Sequence, residues 1–231
     1  MKTLGIVGGI GPESTVEYYR LLVAAYRERR PDGSFPPILI NSIDMTKMLA
    51  LIGANQMTEV TGYLAAEVNK LARAGADFGL LASNTPHIVF DEVRRISKIP
   101  LISIVESARD AVLAKGISVV GLFGTRFTMQ GSFYPDVFTK RGLQLILPDE
   151  AEQDYIHDKY MHELVHGLYL DETRRGLISV LDRIIDEQHI QGLVLGGTEL
   201  PLILRDETYR GIPLFDTTKI HVERALARML S

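Results

Sequence analysis

A chain of 231 residues is long enough for one large α/β domain or for two lobes, each burying its own core. Its 46% hydrophobic and 23% charged residues fit an ordered globular protein, and a formal net charge of −4 argues against general nucleic-acid binding, which needs a basic face to release counterions. Cysteine is absent, which excludes disulfides, thiolate metal sites and thiol nucleophiles alike.

Residues 3–7 (TLGIV) form an apolar run followed by Gly8, Gly9, Ile10 and Gly11. The pattern predicts a buried strand, a glycine loop and a helix that opens at Pro12 and Glu13 and runs to about residue 29. Backbone N–H groups at such a helix start suit a carboxylate or a phosphate. The loop is not a P-loop, because the Gly-Lys-Ser/Thr ending is missing, and it lacks dinucleotide-type Gly-x-Gly-x-x-Gly spacing. Residues 38–43 read as a second strand ending at Asp44. A helix over 58–74 carries Val60, Leu64, Val68 and Leu71 at helical period, and Gly75 closes it. The third strand, 77–82, opens into Ser83, Asn84, Thr85, Pro86 and His87, after which 89–96 reads as a short helix and 99–104 leads out of the first lobe.

The pattern then restarts, with a helix at 107–114, a strand at 119–123 and a terminal loop at 124–128. A helix at 129–140 and a strand at 143–147 follow, then helical stretches at 150–167 and 172–188. The strand at 192–195 opens into Gly196, Gly197, Thr198 and Glu199. A last strand at 213–215 precedes a helix over 220–230, for which Thr217 or Thr218 is the expected N-cap. Gly8 lies 75 residues before Ser83, and Gly124 lies 73 before Gly197, so the two halves read as one supersecondary unit used twice. Apolar strands that end in small, hydroxyl and amide residues open toward ligand at the carboxyl edge of a parallel sheet. No apolar run approaches the roughly 18 residues of a membrane span. The amino terminus runs straight into a strand without a secretory h-region, so no membrane contact and a cytoplasmic location are expected.

With these loops located, the sequence resembles the aspartate/glutamate racemase family of cofactor-independent amino-acid racemases. The resemblance is carried by residues 5–15 (GIVGGIGPEST), 82–87 (ASNTPH), 122–129 (LFGTRFTM), 195–201 (LGGTELP) and 215–221 (FDTTKIH). It implies two similar three-layer α/β lobes with mostly parallel sheets, related by a pseudo-twofold, formed from 1–104 with 213–231 and from 105–212. It further implies a small acidic amino acid bound in the cleft between lobes, a homodimer, and neither pyridoxal phosphate nor metal. In that family one thiolate removes the Cα proton and a thiol on the opposite face returns one. The two cysteines stand in Cys-Asn-Thr and Gly-Cys-Thr-Glu motifs, which fall here on Ser83 and Gly197.

Both thiols are missing, and the loss is chemically large. A thiol near pKa ~8.5 can supply a base at neutral pH, whereas water at ~15.7, standing in for an unactivated hydroxyl, costs roughly 10 kcal/mol more to ionise. Ser83 would have to take a proton from carbon, and Gly197 has no side chain. Glu199 and His87 are the remaining candidates for moving a proton. Asn84, Thr85 and Thr198, together with Glu199, carry groups suited to a ligand carboxylate or ammonium. Gly9 and Ile10 in the first loop, with Thr125 and Thr128 after the restarted strand, are expected to hold the other end. His166, before Gly167, is a further candidate contact by resemblance. The His162 and His166 pair, four apart, is read as an exposed helical pair, since the His-Glu-x-x-His order of a zinc protease is absent. The alternatives are a non-catalytic binder of acidic amino acids and a family member doing other chemistry on a carboxylic acid.

Overall fold

The computed structural model describes all residues from Met1 to Ser231, and the chain divides into two compact units. The first comprises residues 1–104 and 221–231, the second residues 105–220.

The first unit is built on β1 (Leu4–Gly8), whose five residues are all buried, as expected for an apolar run in the middle of a parallel sheet. It is flanked by β2 (Ile38–Ser42) and β3 (Phe78–Leu81), and β4 (Leu101–Ile102) completes the order β2-β1-β3-β4, every pair parallel. Alternation along the strands divides the faces. Leu4 and Ile6 of β1, with Phe78 and Leu80, cluster with Tyr18, Leu22 and Tyr26 of α1 (Pro12–Arg29). The same cluster takes Val222, Ala225, Leu226 and Met229 from the last helix. On the other face α3 (Met57–Arg73) packs on β1, where a Cβ at Gly5 would meet Leu71 and Ala76 at 3.0–3.1 Å. Each fully buried aromatic or leucine side chain here contributes about 1.5–3 kcal/mol. Between β2 and α3 lies α2 (Met45–Gly53), which the sequence reading did not anticipate. Asp44, expected to end a strand, is its N-cap and accepts from the Thr46 N–H at 2.8 Å. After β3 come a 3₁₀ turn (Thr85–Val89) and α4 (Phe90–Ile96).

The second unit repeats the plan. After α5 (Ile104–Ala114), β5 (Val119–Gly124) is flanked by β6 (Gln144–Ile146) and β7 (Leu193–Gly196), with β9 (Ile212–Asp216) beyond β7, all parallel. The strand order thus matches that of the first sheet, which bears out the internal repeat. The added strand β8 (Thr208–Tyr209) pairs antiparallel with β9 through a hairpin at Arg210 and Gly211, whose φ values of 46° and 83° match the right-handed twist of a two-residue turn. Phe123, Leu193 and Leu195 cluster with Ile156 and Tyr160 of α8 (Glu150–His162), and with Leu177, Leu181 and Ile184 of α9 (Asp171–Gln188).

Several boundaries differ from those expected. The segment 124–128 is not a loop throughout: Thr125 caps α6 (Arg126–Gln130), and Gly131 separates it from α7 (Phe133–Thr139), so no single helix spans 129–140. Residues 213–220 belong to the second unit and not the first, because β9 hydrogen-bonds to β7. The last helix, α11 (Thr217–Leu230), is not capped by Thr217 or Thr218. The Asp216 carboxylate accepts from the N–H groups of Thr218 and Lys219 at 2.9 and 3.0 Å, which frees Thr217 to donate to the Leu195 carbonyl at 2.8 Å. Replacing Asp216 by Ala is therefore expected to lower unfolding free energy in urea by at least about 1 kcal/mol. No helix is long and apolar enough to cross a membrane.

Candidate functional site

The residues singled out from sequence fall mainly at the carboxyl edges of the two sheets. In the first unit β1 and β3 are hydrogen-bonded neighbours, so the loops that follow them start side by side. The chain leaves β1 through Gly9 (φ 78°), buried Ile10 and Gly11 (φ 50°), and Pro12 starts α1. The glycine at 9 is required twice over: its φ lies in the left-handed region, and a Cβ there would press on the backbone of Ile43. Thr15 reaches back to accept from the Gly9 N–H at 2.8 Å, and its side chain fills the space beside Gly8. Ser14 donates to the Ala82 carbonyl at 2.9 Å, tying the first turn of α1 to the loop after β3. Ser83, Asn84 and Thr85, all buried, follow directly.

His87 is buried, and both of its ring nitrogens are committed. The Ile104 N–H can only donate, so Nε2 accepts it at 3.2 Å; Nδ1 therefore carries the proton and faces the Ser83 carbonyl at 3.1 Å. Burial, then the neighbouring His221, push its pKa well below the ordinary histidine value. The ring also stacks on Phe90, 4.4 Å between centroids. A general base needs a free lone pair; His87 uses its own to hold the loop in which Ser83 sits. His221 repeats the arrangement: Nε2–H faces the Ile102 carbonyl at 3.1 Å, Nδ1 accepts from Tyr18 at 2.8 Å, and burial lowers its pKa to about 4.

In the second unit the register pairs Gly124 with Gly196, placing the ends of β5 and β7 together. Thr128 packs on both: a Cβ at Gly124 would lie 2.8 Å from the threonine Cβ, and one at Gly196 3.0 Å from its Cγ2. Its hydroxyl shares a hydrogen bond with Thr125 at 3.2 Å. The pairing of Gly8 with Thr15 in the first unit is matched by that of Gly124 with Thr128 here. Beyond β7, Gly197, Thr198 and Glu199 are buried, and both the Thr198 hydroxyl, at 2.8 Å, and the Tyr160 hydroxyl donate to Glu199 Oε2. Burial, followed by the charge of Glu199, pushes the Tyr160 phenol well above its ordinary value, so it is protonated at neutral pH.

The structure thus brings Gly9, Ile10, Ser83, Asn84 and Thr85 to one sheet edge and Thr125, Thr128, Gly197, Thr198 and Glu199 to the other. His166 is not among them: it is exposed, in a 3₁₀ turn (Leu164–His166) closed by Gly167 at φ 73°. That turn also separates it from His162, which ends α8 and pairs with Asp158 at 3.1 Å, so the two histidines do not share a helix face. Tyr160 escaped the sequence reading. No sequence signal marks it: only the structure shows that the glycine at 197 lacks a left-handed φ and is crowded by the tyrosine ring.

A sequence model described as Asp/Glu/Hydantoin racemase matches residues 7–225. The broad specificity amino-acid racemase RacX of Bacillus subtilis (strain 168) is 24% identical over 93% of this chain and 92% of its own. Among solved structures, a Yersinia pestis protein provisionally named an Asp/Glu racemase superposes with a TM-score of 0.90 at 28% identity, covering 100% of both chains. An aspartate racemase homologue from Pyrococcus horikoshii OT3 does so with a TM-score of 0.86 at 29% identity, again over 100% of both chains.

Proposed function

The chain belongs to the Asp/Glu/hydantoin racemase family, and from that premise we propose that it binds a small acidic amino acid while the family's two-thiol racemisation is lost. The observation that carries this reading is the absence of any cysteine from the chain; by the resemblance, Ser83 and Gly197 stand where the family's motifs place the two thiols. Two-base racemisation needs a proton acceptor on one side of Cα and a donor on the other, each available near neutral pH. A serine hydroxyl lies roughly 10 kcal/mol from supplying that base unless a partner takes its proton. His87, the titratable side chain nearest in sequence, has its lone pair engaged by the Ile104 N–H. Glycine supplies nothing. What is retained favours binding: buried amide and hydroxyl groups at Asn84, Thr85 and Thr198, and loops whose glycines let backbone approach a ligand.

The reading requires neither pyridoxal phosphate nor metal, and it includes a cytoplasmic homodimer, which sedimentation equilibrium would register as twice the chain mass. Discrimination between aspartate and glutamate turns on one methylene, worth about 1–3 kcal/mol. Calorimetric titration with both enantiomers of each is expected to give saturable binding of at least one. Absence of saturable binding by all four would overturn the proposal.

A further inference from the structure

Gly197 has no conformational need to be glycine, since its φ lies outside the left-handed region. What excludes a side chain is Tyr160. A Cβ at residue 197 would lie against the tyrosine ring, 2.9 Å from Oη and 3.0 Å from Cζ, closer than such atoms come in folded proteins. The ring cannot easily withdraw. It projects from α8 into a core cluster that includes Ile156, Leu164 and Leu200, it is buried, and its hydroxyl is fixed on Glu199. Residues 160 and 197 are therefore complementary: the phenol stands in the volume into which a side chain at 197 would project.

The chemistry that the phenol brings there differs from that of a thiol. Its single proton goes to Glu199 Oε2, so toward any further partner Oη can only accept, as it already does from the Glu199 N–H, beside a carboxylate that also accepts from Thr198. A group of this kind accepts N–H bonds and favours positive charge; a second carboxylate beside it would be repelled. Its location at the carboxyl end of the parallel strand β7 is where α/β sheets receive ligands. Resting on the reading above that residue 197 marks the ligand site, we infer that Tyr160 is a ligand-contacting residue, and that its Oη, together with Glu199, receives the α-ammonium of the bound amino acid. The second unit then holds the amino group in the place from which a thiol would have exchanged the Cα proton.

Aspartate and succinate differ only in the α-ammonium, so their affinity ratio isolates this contact. Calorimetric titration of the full chain is expected to show wild type preferring aspartate over succinate by tenfold or more. In Tyr160→Phe that preference falls by about tenfold, because one of the two acceptors of the ammonium is lost while Glu199 remains. Gly197→Ala, whose Cβ competes with the phenol for the same volume, is expected to lower the ratio too, and it answers the question if the phenylalanine variant fails to fold. A loosened fold would weaken both ligands in proportion and leave the ratio unchanged. An unchanged ratio in a folded variant overturns the inference while the binding function stands. Wild type that binds neither ligand nor glutamate overturns both.

Discussion

Acidification from pH 6.5 to 4 is expected to remove about 3 kcal/mol of folding stability through His221 alone, with His87 adding loss in the same direction. Both side chains are fully desolvated, and both spend a lone pair on a donor: His221 on the Tyr18 hydroxyl, His87 on the Ile104 N–H. The folded state therefore holds them neutral, with pKa values below the ordinary 6.5. Between 6.5 and the folded pKa the unfolded chain binds protons that the folded chain does not. Stability from this source is complete above pH 6.5, is lost as pH falls from there to the depressed values, and changes no further below them. Carboxylates such as Glu163, whose pKa values are lowered by their partners, act only below about 4.5, so the interval from 6.5 to 5 isolates the histidines, to which half-buried His157, also lowered by burial, adds a share of its own. Urea unfolding at half-unit pH steps should show a slope of up to about 2.7 kcal/mol per pH unit for two sites. His221→Gln, which cannot titrate, should remove one site's share. A flat profile over that interval would show that the two rings are already protonated or solvated.

Substituting Gly9 by alanine should cost about 3 kcal/mol, the sum of a left-handed φ and a Cβ driven into the Ile43 backbone. The comparison is Gly62→Ala in the middle of α3, where a Cβ meets nothing within 4 Å. That change should raise stability by up to about 1 kcal/mol through helix propensity. Gly9→Ala should also weaken amino-acid binding, because the Gly9 N–H bond to Thr15 positions the loop that enters α1. Equal unfolding free energies for the two variants would mean that the β1 loop is not held as described.

Much of this architecture could be read in the chain because its signals are local. A buried parallel strand needs only a short apolar run, and the repeated distance from a strand-ending glycine to a small-residue loop points to two similar units; the order their sheets share, β2-β1-β3-β4 and β6-β5-β7-β9, is set by tertiary pairing. The errors arise where local and tertiary preferences compete. Asp44 and Thr125 look like loop residues and are helix caps, because their side chains find N–H groups two or three residues on. The strand expected at 213–215 with the first lobe lies in the second unit, since only hydrogen bonding to β7 decides its place. Ser83, Asn84, Thr85, Thr198 and Glu199 could be picked out because strand ends carry ligands. Tyr160 could not, since its contact with Gly197 joins residues 37 apart through the packing of α8 on β7. His87 looked like a base because sequence does not reveal that both its nitrogens are taken.

Cα exchange tests the central claim most directly. Each enantiomer of aspartate and glutamate is incubated with the full chain in deuterated buffer near neutral pH, and the Cα proton is followed by NMR alongside chiral chromatography. With Ser83 lacking a free base beside it, Gly197 bare and Tyr160 held protonated, Cα deuteration and inversion should both stay at the enzyme-free background for a ligand that calorimetry shows to be bound. Deuterium entering Cα, or either enantiomer inverting, at a rate proportional to protein concentration would contradict the account.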